Sequence, residues 1–396
     1  PGPPPSPPSR PQAAAALAAI DDDVSHQKEI IAFGCISPLV AIVKGGSVAA
    51  QAFASGALAN AAAYSREAQT AIVKGGAVPQ LITLLGVGKA HTSAARALAE
   101  LARENGEIQA EISNEGGIPP LLSLLNGLDT EAQVQAAAAL SQMAQDNIEV
   151  QTAITKAGGI APLLALLTSR SGSAQGTGMA ALAQLARNNR ENQDMIARMG
   201  GIKPLVQLLE SNQESVQAKA AFALMEIATA NVPNQSIVVN AGGIQQLAGL
   251  MKSSKNPDVN AEVAGALWAL SQSDENKVAI AQASAIPPLV HLFGSGHARA
   301  TEHAKAALNS LGIRNEENQV HTAQLLIELL HTGNTGSGSA PPEVAQELAA
   351  QALWQLVETN PASHSAIARA GDPEKLVALL HTTVPGAKEF ALWSLS

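Results

Sequence analysis

A segment of about 42 residues recurs along the whole chain, and this period constrains the fold more than any other feature. The best-preserved copy contains Gly-Gly-Ile-Ala-Pro-Leu-Leu, and a near copy begins 42 positions later, so that Ile202 matches Ile160. A fixed period of this length in a helix-forming composition predicts an all-α solenoid of stacked repeats. We number the repeats 1 to 9 by their anchors, of which the last two are degenerate: Ile36, Val78, Ile118, Ile160, Ile202, Ile244, Ile286, Ala323 and Pro373.

Each repeat follows one plan of three helices. A short polar residue, which accepts the free N–H groups of a first helical turn, precedes a glutamine by four positions. A Gly-Gly turn then ends the first helix, a proline starts the second, and an Ala-Leu motif lies in the long third helix. The predicted cap and glutamine pairs are Asp23/Gln27, Ser65/Gln69, Asn105/Gln109, Asn147/Gln151, Asn189/Gln193, Asn231/Gln235 and Asn315/Gln319.

Two places interrupt the plan, and both ends of the chain differ from the repeats. The anchor spacing shortens to 37 before Ala323, where no Gly-Gly turn exists, so helices one and two of repeat 8 either merge or shorten. The Gly/Ser-rich residues 332–342 predict a flexible surface insertion. Residues 1–12 are proline-rich and predict a disordered tail or linker, with an SH3-type ligand as the alternative. Residues 13–22 predict a remnant capping helix, and residues 23–396 the repeat array.

Composition excludes several classes of function. A net charge of −9 gives no reason to expect a nucleic-acid or anionic-membrane partner, and no apolar run is long enough to span a membrane. Cys35 is the only cysteine, so no intrachain disulfide can form, which predicts an intracellular protein of the cytoplasm or the nucleus. Because the chain begins with Pro1 and stops within a helical pattern, we expect it to be a piece of a longer protein.

No motif predicts catalysis, a cofactor or a metal site. The glycines between Gly172 and Gly178 superficially resemble a phosphate loop, but without a preceding strand they predict a spacer between helices two and three. His297 and His303 lie close in sequence without the spacing of metal ligands. We predict that Cys35 is a small core residue rather than a nucleophile. We therefore predict a protein that is not an enzyme.

The Gly-Gly turn, the Pro and Leu-Leu-x-Leu-Leu helix, and the Ala-Leu-Ser-Gln-Met-Ala motif of residues 139–144 resemble armadillo repeats. The resemblance extends from Asp23 to Ser396 as nine repeats. It implies a right-handed superhelix whose third helices form a concave groove, and a scaffold that binds an extended or helical segment of a partner protein there.

The resemblance also implies which side chains face this groove. These are the polar position of the third helix and the residues seven and four before it and three after it, which share one helical face. The predicted partner-binding residues are Asn60, Arg96, Glu100, Arg103, Gln142, Gln184, Arg187, Lys219 and Glu226.

Two alternative functions remain open on the sequence. Nuclear import adaptors of the family carry a repeated Trp and Asn on this face, whereas here only Asn60 is present and Gly56 replaces the tryptophan. The first alternative, a nuclear transport adaptor, therefore departs from the pattern of its class. The second is an adaptor for the substrates of a ubiquitin ligase or for a cytoskeletal assembly. The sequence does not determine the oligomeric state.

Overall fold

A computed structural model describes residues 34–333, 341–359, 373–381 and 384–394. The chain divides into two compact units, Pro1–Met199 and Gly200–Ser396, called here the first and the second unit. The described residues are helical and contain no strand, as the sequence predicts. The predicted tail of residues 1–12, the capping helix of residues 13–22, the Asp23/Gln27 pair and most of the 332–342 insertion lie outside the described residues.

The first unit contains the second and third helices of repeat 1, three helices each in repeats 2 to 4, and the first helix of repeat 5. A short 3-10 turn, Gly88–Ala90, precedes the third helix of repeat 2. In chain order the α-helices are Ile36–Gly45, Val48–Tyr64, Arg66–Lys74, Val78–Leu84, His91–Ala102, Gly106–Asn114, Ile118–Leu125, Thr130–Ala144, Ile148–Lys156, Ile160–Leu166, Gly172–Ala186 and Arg190–Arg198.

The second unit continues the plan until repeat 8. A 3-10 turn, Leu292–Gly294, follows the second helix of repeat 7. In chain order the α-helices are Ile202–Leu208, Glu214–Ala228, Val232–Asn240, Gly243–Ser253, Pro257–Leu270, Asp274–Gln282, Ile286–His291, Ala298–Gly312, Glu316–Thr332, Pro342–Thr359, Pro373–Leu379 and Pro385–Ser394.

The third helices of neighbouring repeats pack directly on one another inside each unit. In the first unit Val48–Tyr64 contacts His91–Ala102, which contacts Thr130–Ala144, which contacts Gly172–Ala186. Their buried faces consist largely of alanine and leucine, such as Ala97. Small side chains allow helices to approach closely, so the third helices form a continuous layer within the unit.

The predicted helix caps are confirmed in six repeats. In each, the cap oxygen accepts a hydrogen bond from the backbone N–H three residues later. The caps are Ser65, Asn105, Asn147, Asn189, Asn231 and Asn315. The Gly-Gly turn is also confirmed: Gly158 has a φ of +83°, which favours glycine. A Cβ on Gly159 would lie 2.6 Å from Ile154 Cγ2, so this second glycine allows the close approach of two helices.

The glutamine that follows each cap links two repeats. Gln109, on the first helix of repeat 3, donates from Nε2 to the carbonyls of Ala102 at 3.2 Å and Gln142 at 2.9 Å. Those carbonyls lie near the C-terminal ends of the third helices of repeats 2 and 3, where backbone acceptors have no partner within the helix. Gln109 itself is 2% exposed. One buried amide therefore satisfies two helix ends.

The cap asparagines form hydrogen bonds with these glutamines and so connect each repeat with the preceding one. The asparagine Nδ2 donates to the glutamine Oε1 of the preceding repeat: Asn105 to Gln69 at 3.2 Å, Asn147 to Gln109 at 3.1 Å, and Asn189 to Gln151 at 3.1 Å. We call these six residues the Asn–Gln ladder of the first unit. The ladder is a network in which a buried donor or acceptor on one repeat is satisfied by the next.

Repeat 7 has a lysine at the position that glutamine occupies in repeats 1 to 6 and 8. Lys277 is 2% exposed, and its Nζ donates to the Ile313 carbonyl at 2.6 Å. It also forms an ion pair with Asp274, with 2.6 Å between Nζ and Oδ1. A buried ammonium needs such a counter-ion, so Asp274 accompanies the exchange of glutamine for lysine.

Repeat 8 merges its first two helices, which is one of the two predicted alternatives. Glu316–Thr332 is a single helix of 17 residues that ends at Gly333 with a φ of +62°. Without a Gly-Gly turn, no residue in this stretch interrupts the backbone hydrogen bonds between the two helical segments.

The prediction for Gly172–Gly178 is wrong. These residues form the first two turns of the third helix of repeat 4, and Ser171 caps it by accepting from the Ala174 N–H. A Cβ on Gly178 would lie 2.9 Å from Leu166 Cβ. This glycine is therefore present because the second and third helices approach closely, and the segment is not a spacer.

In repeats 2 to 4, the turn from the third helix to the next first helix contains a residue with an unusual backbone conformation that the sequence does not reveal. At this place Glu104, Asp146 and Asn188 have φ values of 51°, 51° and 53°. Residues other than glycine are uncommon in this left-handed region. The cap that follows each turn holds the backbone in place.

We predict that Gln109→Leu lowers the free energy of unfolding by about 2 kcal/mol, since two buried carbonyls and the Asn147 amide lose a partner. Urea denaturation measures this loss. Gln207→Leu, at an exposed position of the helix Ile202–Leu208, is the control and should change stability by less than about 0.5 kcal/mol. Equal effects of the two substitutions would show that the ladder does not stabilise the fold.

Candidate functional site

The predicted partner-binding residues lie on or just after third helices, which pack side by side within each unit. We call this set of positions the third-helix column. In the first unit it contains Asn60 from repeat 1 and the residues of repeats 2 to 4. Lys219 and Glu226 belong to the second unit. The two parts are described separately.

Repeats 1 and 2 form a hydrogen-bonded polar cluster. Arg96 Nη2 donates to Asn60 Oδ1 at 2.6 Å, and this contact joins two repeats. Arg103 Nη2 lies 3.0 Å from Glu100 Oε1 and 2.9 Å from Oε2. Asn60 is only 5% exposed. Its amide oxygen therefore holds Arg96 in place, while Arg103 remains exposed.

The carboxyl of Glu100 lies between the two arginines. Burial raises the pKa of Glu100, although the charges of Arg103 and Arg96 and a hydrogen bond from Arg103 act in the lowering direction. The cluster therefore contains a half-buried acid that two cations compensate in part. A partner at this place meets paired charges rather than a surface of one sign.

Repeats 3 and 4 place glutamine at the polar position. Gln142 and Gln184 are half-buried, and in the described part of the chain neither side-chain amide forms a hydrogen bond. Both Oε1 atoms are buried without a partner, whereas the Nε2 atoms are not among the buried atoms. A buried acceptor without a partner costs about 1–3 kcal/mol, so these amides do not serve the stability of the fold.

Arg187 ends the first-unit part of the column. It follows the third helix of repeat 4, and its backbone carbonyl accepts from Gln151 Nε2 at 3.3 Å. Its Nη1 lies 3.7 Å from Asp146 Oδ1, and the Asp146 side chain is 63% exposed. An exposed pair at this distance contributes little to stability.

The second-unit part of the column is acidic and more buried. Glu226 is 8% exposed and Glu262 is 6% exposed. Glu262 Oε1 lies 2.7 Å from Arg299 Nη2, and its Oε2 is buried without a hydrogen bond. Lys219 is half-buried and forms no hydrogen bond or ion pair within the described residues. Burial raises the pKa of Glu262, with Asp258 and Glu226 adding to the effect and Arg299 and His303 opposing it.

Glu262 and His303 were not predicted as site residues, although the spacing rule contains them. Each lies seven positions before the polar position of its repeat, Ala269 and Ser310 respectively. His303 forms a hydrogen bond through Nδ1 with the Ala261 carbonyl at 2.7 Å. A Cβ on Gly265 would lie 2.8 Å from that nitrogen, so the glycine makes room for the ring.

The other residues considered for chemistry have ordinary surroundings. His297 Nε2 lies 3.1 Å from Asp258 Oδ1. No group of three or more His, Cys, Asp or Glu side chains within the described ranges is arranged to hold a metal ion. Burial raises the pKa of the half-buried Cys35 thiol, so the thiolate is disfavoured. No helix in the described part of the chain has the length and hydropathy that crossing a membrane requires.

Sequence and structure comparisons agree on one kind of fold. The profile of the Armadillo/beta-catenin-like repeat matches residues 107–145, 189–228 and 231–272. The crystal structure of an engineered protein is 32% identical with a TM-score of 0.76, and the match covers 98% of this chain and 96% of that one. No curated protein sequence is significantly similar to this chain.

Designed armadillo repeat proteins are also similar. One is 27% identical with a TM-score of 0.56, and the match covers 59% of this chain and 99% of that one. Another, in complex with the peptide (KR)4, is 26% identical with a TM-score of 0.55 and the same shares of each chain covered.

We predict that Glu262→Gln raises stability at pH 7 and that this advantage disappears on acidification. A folded-state pKa above the unfolded value means that the charged form destabilises the fold. This cost is present above the folded pKa and is lost as pH falls to the unfolded value near about 4.3. Thermal unfolding of both proteins between pH 7 and pH 4 measures the difference. Glu275→Gln, at an exposed carboxyl, is the control. A difference that stays constant with pH would contradict the prediction.

Proposed function

The chain belongs to the armadillo repeat family, and we propose that it is a non-catalytic scaffold whose third-helix column binds a segment of a partner protein. The armadillo repeat fold is generally a scaffold without catalytic activity. Similar designed proteins include one in complex with a peptide, which supports a peptide or protein partner. We place the site on the first-unit part of the column, and no cofactor or metal is needed.

The observation that carries this proposal is the state of Gln142 and Gln184. Both amides occur at the same position of adjacent repeats and form no hydrogen bond within the described residues. A glutamine amide carries two N–H donors and can bond the carbonyl of any peptide. Two such donors, repeated at the period of the array, suit a partner backbone that runs across the third helices.

Neighbouring charges add selectivity to this backbone recognition. Arg96 is held by Asn60, so its guanidinium has a fixed position beside Glu100. A fixed guanidinium loses little conformational entropy when it binds. Arg103 and Arg187 are on the same part of the column and have acidic partners of their own. We propose that the partner segment is mixed in charge rather than uniformly acidic or basic.

The nuclear transport adaptor remains an alternative that the side chains do not favour. Asn60, the one asparagine at the polar position, is buried and bonded to Arg96. A similar designed protein is in complex with the peptide (KR)4, and the acidic Glu226 and Glu262 of the second unit would attract a basic peptide. Tight binding of such a peptide by the second-unit part of the column would favour this alternative.

An adaptor for a ubiquitin ligase or a cytoskeletal assembly is consistent with the same surface. In such an adaptor the repeat array would still bind a partner segment, and the catalytic or targeting function would come from another domain.

The first-unit site is tested with peptides selected for binding to the chain from a library of displayed random peptides. We predict that changing Arg96, Gln142, Gln184 and Arg187 to alanine weakens their binding at least tenfold, because contact residues often contribute over about 1 kcal/mol each. The circular dichroism spectrum should stay unchanged.

The matched control changes Glu107, Glu149, Lys156 and Arg190, which are exposed on first helices of repeats 3 to 5. This fourfold alanine variant should bind the selected peptides like the original chain. If the column variant is folded and binds the peptides undiminished, the binding site lies elsewhere on the molecule.

A further inference from the structure

The second unit contains an apolar cleft across the N-terminal ends of its last three third helices. Two hollows form it, of about 280 Å³ and 360 Å³, one between Ala298–Gly312 and Pro342–Thr359 and the other between Pro342–Thr359 and Pro385–Ser394. Val344 and Leu348 line both hollows and form the wall between them. All of these residues belong to the second unit, so the inference drawn from them does not rest on the first-unit column.

The cleft forms because the third helix of repeat 8 contacts another element in addition to its two neighbouring third helices. Pro342–Thr359 also packs on the 3-10 turn Leu292–Gly294. Phe293 of this turn is completely buried and lines the smaller hollow. Val384 and Pro385 line the larger one, and Val384 is 5% exposed. The apolar part of the lining is therefore held in place by packed residues.

Val344 leaves a large apolar surface uncovered. It is 46% exposed on the first turn of its helix, beside the half-buried Leu348. A single exposed valine is ordinary, but here it lies between two hollows that a side chain can enter. This arrangement fits two apolar side chains of one segment, one on each side of Val344.

The rim of the cleft is acidic. Glu343 and Glu347 border the larger hollow, and none of the described residues that line it is a cation. Neither glutamate forms an ion pair within the described residues, although Glu347 Oε1 accepts from Gln351 Nε2 at 3.4 Å. At the smaller hollow Lys305 accompanies Glu302. Charge complementarity therefore selects a segment whose apolar residues are flanked by lysine or arginine.

From this geometry we propose that the cleft is a second docking site, for a partner segment with two apolar anchors and basic flanks. The apolar anchors supply affinity by filling the hollows. The basic flanks supply selectivity through Glu343 and Glu347. A groove of this kind binds a short helical or extended segment without help from the first unit.

Fluorescence polarisation of a labelled peptide tests the proposal. The probe is Lys-Arg-Leu-Ala-Ala-Leu-Arg-Lys, and two control peptides carry serine for both leucines or Asp and Glu for the basic flanks. The full chain should bind the probe at least about tenfold more tightly than either control. Equal affinity for the three peptides would overturn the proposal.

Matched variants locate the binding. Val344→Ser should weaken probe binding at least about fivefold, whereas Val278→Ser should not, although both valines are 46% exposed. The double change Glu343→Lys and Glu347→Lys should transfer the preference to the acid-flanked peptide. Glu275→Lys, also in the first turn of a helix, should leave it unchanged. An effect of Val278→Ser equal to that of Val344→Ser would contradict the site.

Other occupants give different results, and each would overturn the proposal. If a second copy of the chain fills the cleft, sedimentation shows a dimer, and Val344→Ser dissociates it. The probe then binds only when it displaces the second copy. If residues 334–340 fill it, their deletion strengthens probe binding by more than about fivefold. We expect that the chain sediments as a monomer and that deletion of residues 334–340 leaves probe binding unchanged. Probe binding that the fourfold column variant abolishes while Val344→Ser preserves it would assign the probe to the first unit.

Discussion

The hydrogen bonds of the Asn–Gln ladder satisfy the backbone where one repeat meets the next. Each third helix ends in carbonyls without partners in the helix, and the buried glutamine of a first helix supplies the donor. The asparagine that caps the following first helix then satisfies the glutamine oxygen. The bonds from Gln109 to Gln142 and from Asn147 to Gln109 join residues about one repeat apart, so the period of the sequence sets which helices these bonds connect.

Function can vary on this frame because the ladder lies at the helix ends and the third-helix column lies along the helix faces. Gln109 is buried and fully bonded, whereas Gln142, of the same residue type, has an amide with no partner in the described structure. The first satisfies carbonyls of two third helices, and we propose that the second binds the partner. Apolar residues of the second unit differ in the same way: those between the third helices are buried, whereas Val344 at the edge is exposed.

Local rules were sufficient to predict much of the fold. The caps and the Gly-Gly turns follow from residue chemistry within a few positions of each other, whereas for repeat 8 the sequence left open whether two helices merge or shorten, and they merge. The prediction for Gly172–Gly178 was wrong because it used local rules alone. A side chain at Gly178 would clash with Leu166, which belongs to another helix. The contact between Asn60 and Arg96 and the burial of Glu262 depend on packing between repeats. The sequence contained these residues but not their surroundings.

We propose that the ladder couples adjacent repeats, and a double-mutant cycle on Gln109 and Asn147 measures this coupling. Urea unfolding of Gln109→Leu, Asn147→Ser and the double variant yields their interaction energy. Serine keeps the ability to cap the helix while it removes the Nδ2 donor, so the cycle isolates the link between repeats. We expect a coupling energy of about 1 kcal/mol or more between the two side chains. Strictly additive effects of the two substitutions would contradict it.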